Sequence, residues 1–212
     1  MKGKRPEAYK KKAWHFWGHD LFVNKHVLIP RFDTEILVEE ALKQIGKRAK
    51  VLDLCTGSGA IAIALAKEGH DVTATDISHK ALKVAMHNAK THNLDIKFIK
   101  SDMFKNIQGK FDIIICNPPY IKTDEIGMFD ETIFYEPRLA LDGGEDGLKF
   151  YRIIAQQAGE YLTDGGLLAL EIDDAVAVKR IFEEHGWQGI QVFKDLLGHD
   201  RVQTCSKTPK VI

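Results

Sequence analysis

The chain has 212 residues, with 30 Lys+Arg balanced by 30 Asp+Glu, 44% hydrophobic and 28% charged residues. That length and mixture suit one ordinary α/β domain and exclude a disordered or fibrous chain, and zero net charge argues against holding nucleic acid by bulk charge, leaving only a local basic patch open. Three cysteines without CxxC spacing (Cys55, Cys116, Cys205), no apolar run near the length of a membrane span and no signal-peptide pattern point to a cytoplasmic protein without a disulfide framework or structural zinc.

The first twelve residues carry six basic side chains and one acid, with Pro6 as a helix breaker, and read as a solvated basic leader. Trp14 to Leu28 is rich in aromatic and β-branched residues and predicts a small antiparallel hairpin, with Gly18-His19 and Asn24-Lys25 as turn points. Trp14, Phe16 and Trp17 are expected to form a small core against the first helix, in preference to stacking on a substrate. Pro30 ends the hairpin. Asp33 or Thr34 is expected to cap a helix with Ile36, Leu37, Ala41 and Leu42 on one stripe. The expected division is a leader and hairpin over 1–32 and a catalytic domain over 33–212.

From Lys50 strands and helices alternate. Val51–Leu54 predicts a strand, Cys55 to Gly59 a turn and Ala60–Ala66 a nearly all-apolar helix. A second strand, Val72–Thr75, ends on Asp76, and Ser78 is expected to cap a helix with Ala81, Leu82, Ala85 and Ala89 facing inward. Ile96–Ile99 and Phe111–Cys116 read as strands, Leu148–Leu162 as a helix and Leu167–Ile172 as a strand. Ala175–His185 reads as a helix with Ala175, Val178 and Phe182 inward, and Val192–Leu196 with Arg201–Cys205 as a closing antiparallel pair. Continuous apolar strands are those of a parallel sheet covered on both faces, so the alternation implies a doubly wound sheet. Its ligands belong at the carboxyl ends of the strands.

The turn Cys55-Thr56-Gly57-Ser58-Gly59 offers two glycines for close backbone approach and a helix N-terminus behind them. Asp76, ending the next strand, is placed to accept hydrogen bonds from two ribose hydroxyls. Gly57-x-Gly59-x-x-Ala62 also satisfies the dinucleotide fingerprint, which keeps a nicotinamide-dependent oxidoreductase as a rival at this point. Asp102 follows the third strand and can accept from an adenine amino group, and Met103 can pack on the adenine face. The cofactor that uses these positions without a pyrophosphate is S-adenosylmethionine, leaving S-adenosylhomocysteine.

Asn117-Pro118-Pro119-Tyr120 closes the strand Phe111–Cys116. The prolines fix φ and remove two backbone donors, so this stiff segment presents acceptors: the Asn117 side-chain oxygen and the Pro118 carbonyl. An amide or exocyclic amine is a poor nucleophile because its lone pair is delocalised. Two fixed acceptors holding both N–H bonds would aim that lone pair and stabilise the positive charge growing on nitrogen. Tyr120 is expected to cover the flat group and exclude water. The catalytic candidates are Asn117, Pro118 and Tyr120, and Pro119 joins them in gripping the substrate; Asn117 is also a candidate for binding the cofactor.

With these residues, the chain resembles the HemK/PrmC family of glutamine methyltransferases over nearly its whole length. The resemblance includes Leu28-Ile29-Pro30-Arg31 with Thr34-Glu35, Asp53 to Gly59, Asp76 and Asn117 to Ile121. It continues through Glu136-Pro137-Arg138-Leu139-Ala140-Leu141, Gly143-Gly144-Glu145-Asp146-Gly147-Leu148, Glu171-Ile172 and Asp200-Arg201-Val202. The Asn-Pro-Pro-Tyr motif is shared with enzymes that methylate amino groups of DNA and RNA, and the Glu136–Leu148 stretch is the more specific signal. The resemblance implies a Rossmann-like class I methyltransferase with a mostly parallel seven-stranded sheet, an antiparallel C-terminal strand and a preceding hairpin. It implies that the substrate is the glutamine of the GGQ motif in peptide-chain release factors, the partner proteins expected here, with no metal or membrane and nucleic acid only indirectly. Cys55 to Gly59 and Asp76 would bind the cofactor's methionine and ribose, Met103 would flank its adenine, and Asn117 to Tyr120 would grip the glutamine. The loop Lys122 to Gly147 would shape the pocket entrance.

Four departures accompany the resemblance. Cys55 replaces the loop's first glycine and fits if its φ is negative. Phe32 stands for a usual proline, and Asp173 stands where glycine usually follows Glu171-Ile172. The N-terminal helical domain usual in bacterial members is represented only by its connecting segment. The alternatives are amino methylation of adenine in RNA or DNA, and a non-catalytic cofactor-binding domain in a translation assembly. The nine histidines lack metal spacing, with His79, His87 and His92 read as surface. Cys116 reads as a small buried hydrophobe.

Overall fold

The computed structural model describes residues 5–128 and 131–207. Residues 1–4 of the basic leader, and 129–130 of the entrance loop, lie outside the described residues. The leader departs from the sequence expectation. Glu7–Lys11 forms a short helix, α1, and buries Tyr9, whose hydroxyl donates to the Val27 carbonyl at 2.6 Å. Pro6 stands at its N-cap, where a missing N–H costs nothing. The three neighbouring lysines hid this anchor in a run that reads as solvated.

Strands β1 (Trp14–Phe16) and β2 (His19–Leu21) form the expected hairpin, with the turn one residue earlier than predicted. Trp17 (φ 49°) and Gly18 (φ 72°) occupy it, both left-handed, as a two-residue turn matching the strand twist demands. Phe16 and Leu21 join the core formed by Leu37, Ile63 and Ile113, so the hairpin aromatics pack as core. Helix α2 (Asp33–Gln44) buries Thr34, Leu37, Val38 and Ala41, but neither Asp33 nor Thr34 caps it. Phe32 takes the N-cap position with φ −62°, a value proline shares, which accounts for the exchange of one for the other.

The main sheet is built from β3 (Lys50–Leu54), β4 (Asp71–Asp76), β5 (Lys97–Lys100), β6 (Phe111–Cys116), β7 (Leu162–Glu171), β8 (Gln188–Lys194) and β9 (Asp200–Ser206). Their spatial order is β5-β4-β3-β6-β7-β9-β8, and β9 alone runs against the rest, antiparallel to both neighbours. Helix α3 (Ala60–Lys67) has every residue from Ala60 to Leu65 buried, as an all-apolar helix must. Helix α4 (His79–Thr91) is capped by Ser78, whose Oγ accepts from the Ala81 N–H at 3.2 Å. Helices α5 (Lys149–Gln157) and α6 (Ala175–Glu184) cover the other face with Ile154, Val178 and Phe182.

Two boundaries differ from the pattern. The helix ends at Gln157 and one 3-10 turn, and β7 starts at Leu162, because Phe111 pairs with Leu162 and a register shift absorbs the Asp164-Gly165-Gly166 stretch. Strand β8 lies earlier than expected. Asp195 takes Leu196 out of it by accepting the Leu197 and His199 N–H groups in a turn.

Candidate functional site

Strand order reverses between β3 and β6, where Leu54 pairs with Cys116. The two motifs picked out in the sequence therefore leave adjacent parallel strands at the same sheet edge, on either side of the switch point where α/β sheets bind ligands. Between them lies a cavity of about 390 Å³. Cys55, Thr56, Gly57, Ser58, Asp76, Asp102, Met103, Asn117 and Pro119 all line it. Gly59, Pro118 and Tyr120 do not.

The loop after β3 is shaped by backbone. Cys55 (φ 58°), Gly57 (φ 54°) and Gly59 (φ 83°) are all left-handed. The negative φ expected at Cys55 is thus overturned: its side chain sits where glycine is free of strain, at a cost of about 1–2 kcal/mol. The Thr56 N–H donates to the Thr75 carbonyl at 2.8 Å, and its hydroxyl to Asp53 at 2.6 Å. Asp76 accepts from the Gly57 N–H at 3.0 Å with one oxygen and from the Ser78 N–H at 2.7 Å with the other. Gly59 serves packing, since a Cβ there would lie 3.1 Å from that of Ala85 in α4.

Burial pushes the Asp53 carboxyl up to about 7, against the Thr56 hydroxyl that favours its charged form. Burial also raises Asp76, against its two N–H donors. Asn88 adds a brace, accepting from the Phe22 N–H and donating to the Phe22 and Ser58 carbonyls. At the next strand end, the Ser101 hydroxyl donates to the Met103 carbonyl at 2.6 Å and fixes Met103 at φ 49°. Asp102 pairs with Lys105 through one oxygen.

The opposite wall is held by distant side chains. The Asn117 Nδ2 donates to Thr34 Oγ1 at 3.1 Å, and the Thr34 hydroxyl donates to Glu171 Oε2 at 2.6 Å. The Tyr120 hydroxyl donates to Glu171 Oε1 at 3.2 Å, and Tyr120 packs against the core beneath the sheet edge. Burial pushes both Glu171 and Tyr120 up, with the Glu171 charge adding to the effect at Tyr120. Arg201 lies among Asp33, Asp173 and Asp195, and its carbonyl accepts the Ile172 N–H at 2.8 Å. Asp173 has no left-handed φ, so the turn needs no glycine.

The Glu136–Leu148 stretch acquires a physical meaning. Glu136 is buried, pairs with Arg31 at 2.6 Å and accepts the Ile29 N–H, tying the roof to the segment before α2. A Cβ on Gly143 would lie 2.7 Å from Tyr120 Cα, and one on Gly147 would collide with the Tyr120 carbonyl. Both glycines let this stretch lie against the backbone of the Asn-Pro-Pro-Tyr segment, where Gly143 N–H donates to Ile121 O at 2.7 Å. Leu139 and Ala140 reach the cavity from the same stretch.

Other sequence expectations resolve simply. His79 and His87 are exposed, whereas His92 is half-buried and shares a 2.8 Å hydrogen bond with the Asp20 carbonyl. Burial raises the Cys116 thiol, as befits an inert core residue. Among the described residues, no group of three or more His, Cys, Asp or Glu is placed to hold a metal. No helix of theirs is long and apolar enough to cross a membrane.

A family profile described as "Methyltransferase small domain" matches residues 31–145, from Arg31 into the Glu136–Leu148 stretch as far as Glu145. The release factor glutamine methyltransferase of Agrobacterium fabrum is 45% identical over 89% of this chain and 70% of its own length. The chain belongs to the release factor glutamine methyltransferase family. The member from Clostridium acetobutylicum is also 45% identical, over 95% of this chain and 75% of its own. Among solved structures, a methyltransferase from Pyrococcus furiosus superposes with TM-score 0.70 at 20% identity, covering 91% of this chain and 90% of that one. The E. cuniculi Mtq2-Trm112 complex, responsible for methylation of the eRF1 termination factor, gives 0.63 at 24% identity, covering 86% and 99%. These likenesses establish the class I methyltransferase fold with the seven-stranded sheet and its reversed strand.

Proposed function

We propose that this protein transfers a methyl group from S-adenosylmethionine to the side-chain amide nitrogen of the GGQ glutamine in peptide-chain release factors. The observation that carries the reading is the shared cavity. One wall is a glycine loop with an acid on the next strand, and the other is Asn117 on an Asn-Pro-Pro-Tyr segment. Family membership selects glutamine over adenine. The reading makes the protein a cytoplasmic enzyme of translation termination, with residues 33–212 carrying catalysis and 1–32 supporting them.

The cavity suits the cofactor by the chemistry of its donors and its size. Asp76 retains lone pairs for two ribose hydroxyls, the free oxygen of Asp102 can accept an adenine amine, and Ile77, Met103 and Ile153 supply apolar faces. The bound cofactor supplies a methyl group on a sulfonium, an electrophile. The Cys55–Gly59 backbone would accommodate the methionine part. Asn117 Oδ1, inside the cavity, and the Pro118 carbonyl, at the next peptide just outside its lining, would take the two N–H bonds of the glutamine amide, hold its nitrogen in line and meet the positive charge that develops there. Tyr120 would anchor the segment through Glu171. Pro119 and the Leu139-Ala140 roof would exclude water around the flat amide.

The test incubates the protein with methyl-labelled S-adenosylmethionine and a purified bacterial release factor, with transfer and ribosomal RNA in a parallel tube. Peptide mass spectrometry is expected to find the methyl on the GGQ glutamine, with no label on RNA. Label on adenine alone would replace this reading with nucleic-acid methylation. Bound cofactor with no label on either would point to the non-catalytic alternative.

A further inference from the structure

We infer that Thr34 and Glu171 are positioning residues that decide which end of the Asn117 amide faces the cavity. The inference rests on the proposed role of Asn117 as an acceptor, and it supplies the cause of that role. An asparagine amide has two ends of nearly equal size and opposite chemistry: Oδ1 accepts and Nδ2 donates. Shape alone does not choose between them. With Nδ2 inward, the side chain would face the N–H bonds of a glutamine amide donor to donor.

The choice is made two residues away. Glu171 is fully buried, and its two oxygens accept from the Tyr120 and Thr34 hydroxyls. Thr34 has one hydroxyl proton and spends it on Glu171 at 2.6 Å. Towards Asn117, 3.1 Å away, it can only accept. Asn117 must then turn Nδ2 to Thr34, leaving Oδ1 for the cavity that Asn117 lines. Direction is thus handed from carboxylate to hydroxyl to amide across three elements: the end of β7, the first turn of α2 and the end of β6. Arg201 steadies the first two members, through its carbonyl to Ile172 beside Glu171 and its guanidinium near Asp33 beside Thr34. Thr34 and Glu171 also belong to the sequence stretches that carried the family resemblance, which gave neither of them a part in the site.

Three variants test this, each checked for wild-type melting. Thr34→Val keeps the shape and removes the acceptor, and is expected to lower kcat by about tenfold or more, the worth of one buried hydrogen bond, with cofactor affinity unchanged by calorimetry. Thr34→Ser should recover most of that loss. Glu171→Gln leaves one acceptor for two hydroxyls: with its oxygen on the Tyr120 hydroxyl, whose proton needs an acceptor, its NH₂ meets Thr34, reverses that hydroxyl and should lower kcat like Thr34→Val. A second readout needs no turnover: the Asn117 side-chain NH₂, identified in ¹⁵N spectra by its absence in Asn117→Ala, should exchange slowly with solvent. That protection should vanish in Thr34→Val and return in Thr34→Ser. Protection retained in Thr34→Val, a kcat unaltered by it, or failure of Ser to restore either quantity would overturn the inference. Should no release factor be methylated at all, the exchange readout still decides the orientation while the substrate reading alone falls.

Discussion

The two walls of the cavity are held in different ways. The cofactor-facing wall is made mostly of neighbours: Thr56 bonds to Asp53, Gly57 to Asp76 and Ser101 to Met103, each within a strand end or between adjacent strands, with Asn88 of α4 adding a brace at Ser58. The wall that carries Asn117 is held from afar, by Thr34 from 83 residues upstream, Glu171 from beyond α5, and Gly143 and Gly147 from the roof. A cofactor common to many enzymes can be met by a local loop. A single protein amide needs one acceptor aimed one way, and aim comes from contacts that converge from several elements.

This contrast can be broken from either side. Asn117→Ala should lower turnover at least about a hundredfold, or about 2.7 kcal/mol of transition-state stabilisation, while cofactor affinity stays at the wild-type value. Asp76→Ala should do the reverse: calorimetry is expected to give cofactor affinity weakened by about tenfold or more, from lost contacts and released Gly57 and Ser78 N–H groups. Gly147→Ala combines a left-handed φ of 75° with a collision at the Tyr120 carbonyl, and is expected to destabilise by about 1–3 kcal/mol in denaturant melts. The smallest effect should be Cys55→Gly. It relieves the left-handed side chain and should raise the melting temperature by a few degrees, about 1 kcal/mol less the added freedom of the unfolded chain. A lower melting temperature would mean that the Cys55 contact with Met103, 3.9 Å between sulfurs, outweighs the strain.

The same contrast explains what could be read before the structure. Alternating apolar runs located every strand of the sheet, and the glycine loop, Asp76, Met103 and Asn117 were visible because their roles depend on position relative to a strand end. Thr34 was read, as an alternative to Asp33, as a helix cap, the commonest job of a threonine before an apolar stripe, because its partner lies 137 residues away. Glu171 fell inside the expected strand Leu167–Ile172, with no role of its own. Nothing local marks a carboxylate that accepts hydrogen bonds from two hydroxyls across the sheet edge. Tyr9 was lost among lysines for a similar reason, since its hydrogen bond to Val27 is a tertiary contact within a basic run. Glycine spacing between 143 and 147 was legible as a signature, but only the backbone of Tyr120 pressed against it explains why no side chain fits there.

The division of labour between the walls is tested most directly by measuring single-turnover rate and cofactor affinity together in Asn117→Ala and Asp76→Ala. With separate walls, Asn117→Ala binds the cofactor normally and barely turns over even when saturated. Asp76→Ala binds it poorly and regains most of its rate as cofactor is raised. If instead both variants lose affinity and saturated rate in parallel, the two walls act as one unit and Asn117 is not a dedicated substrate acceptor.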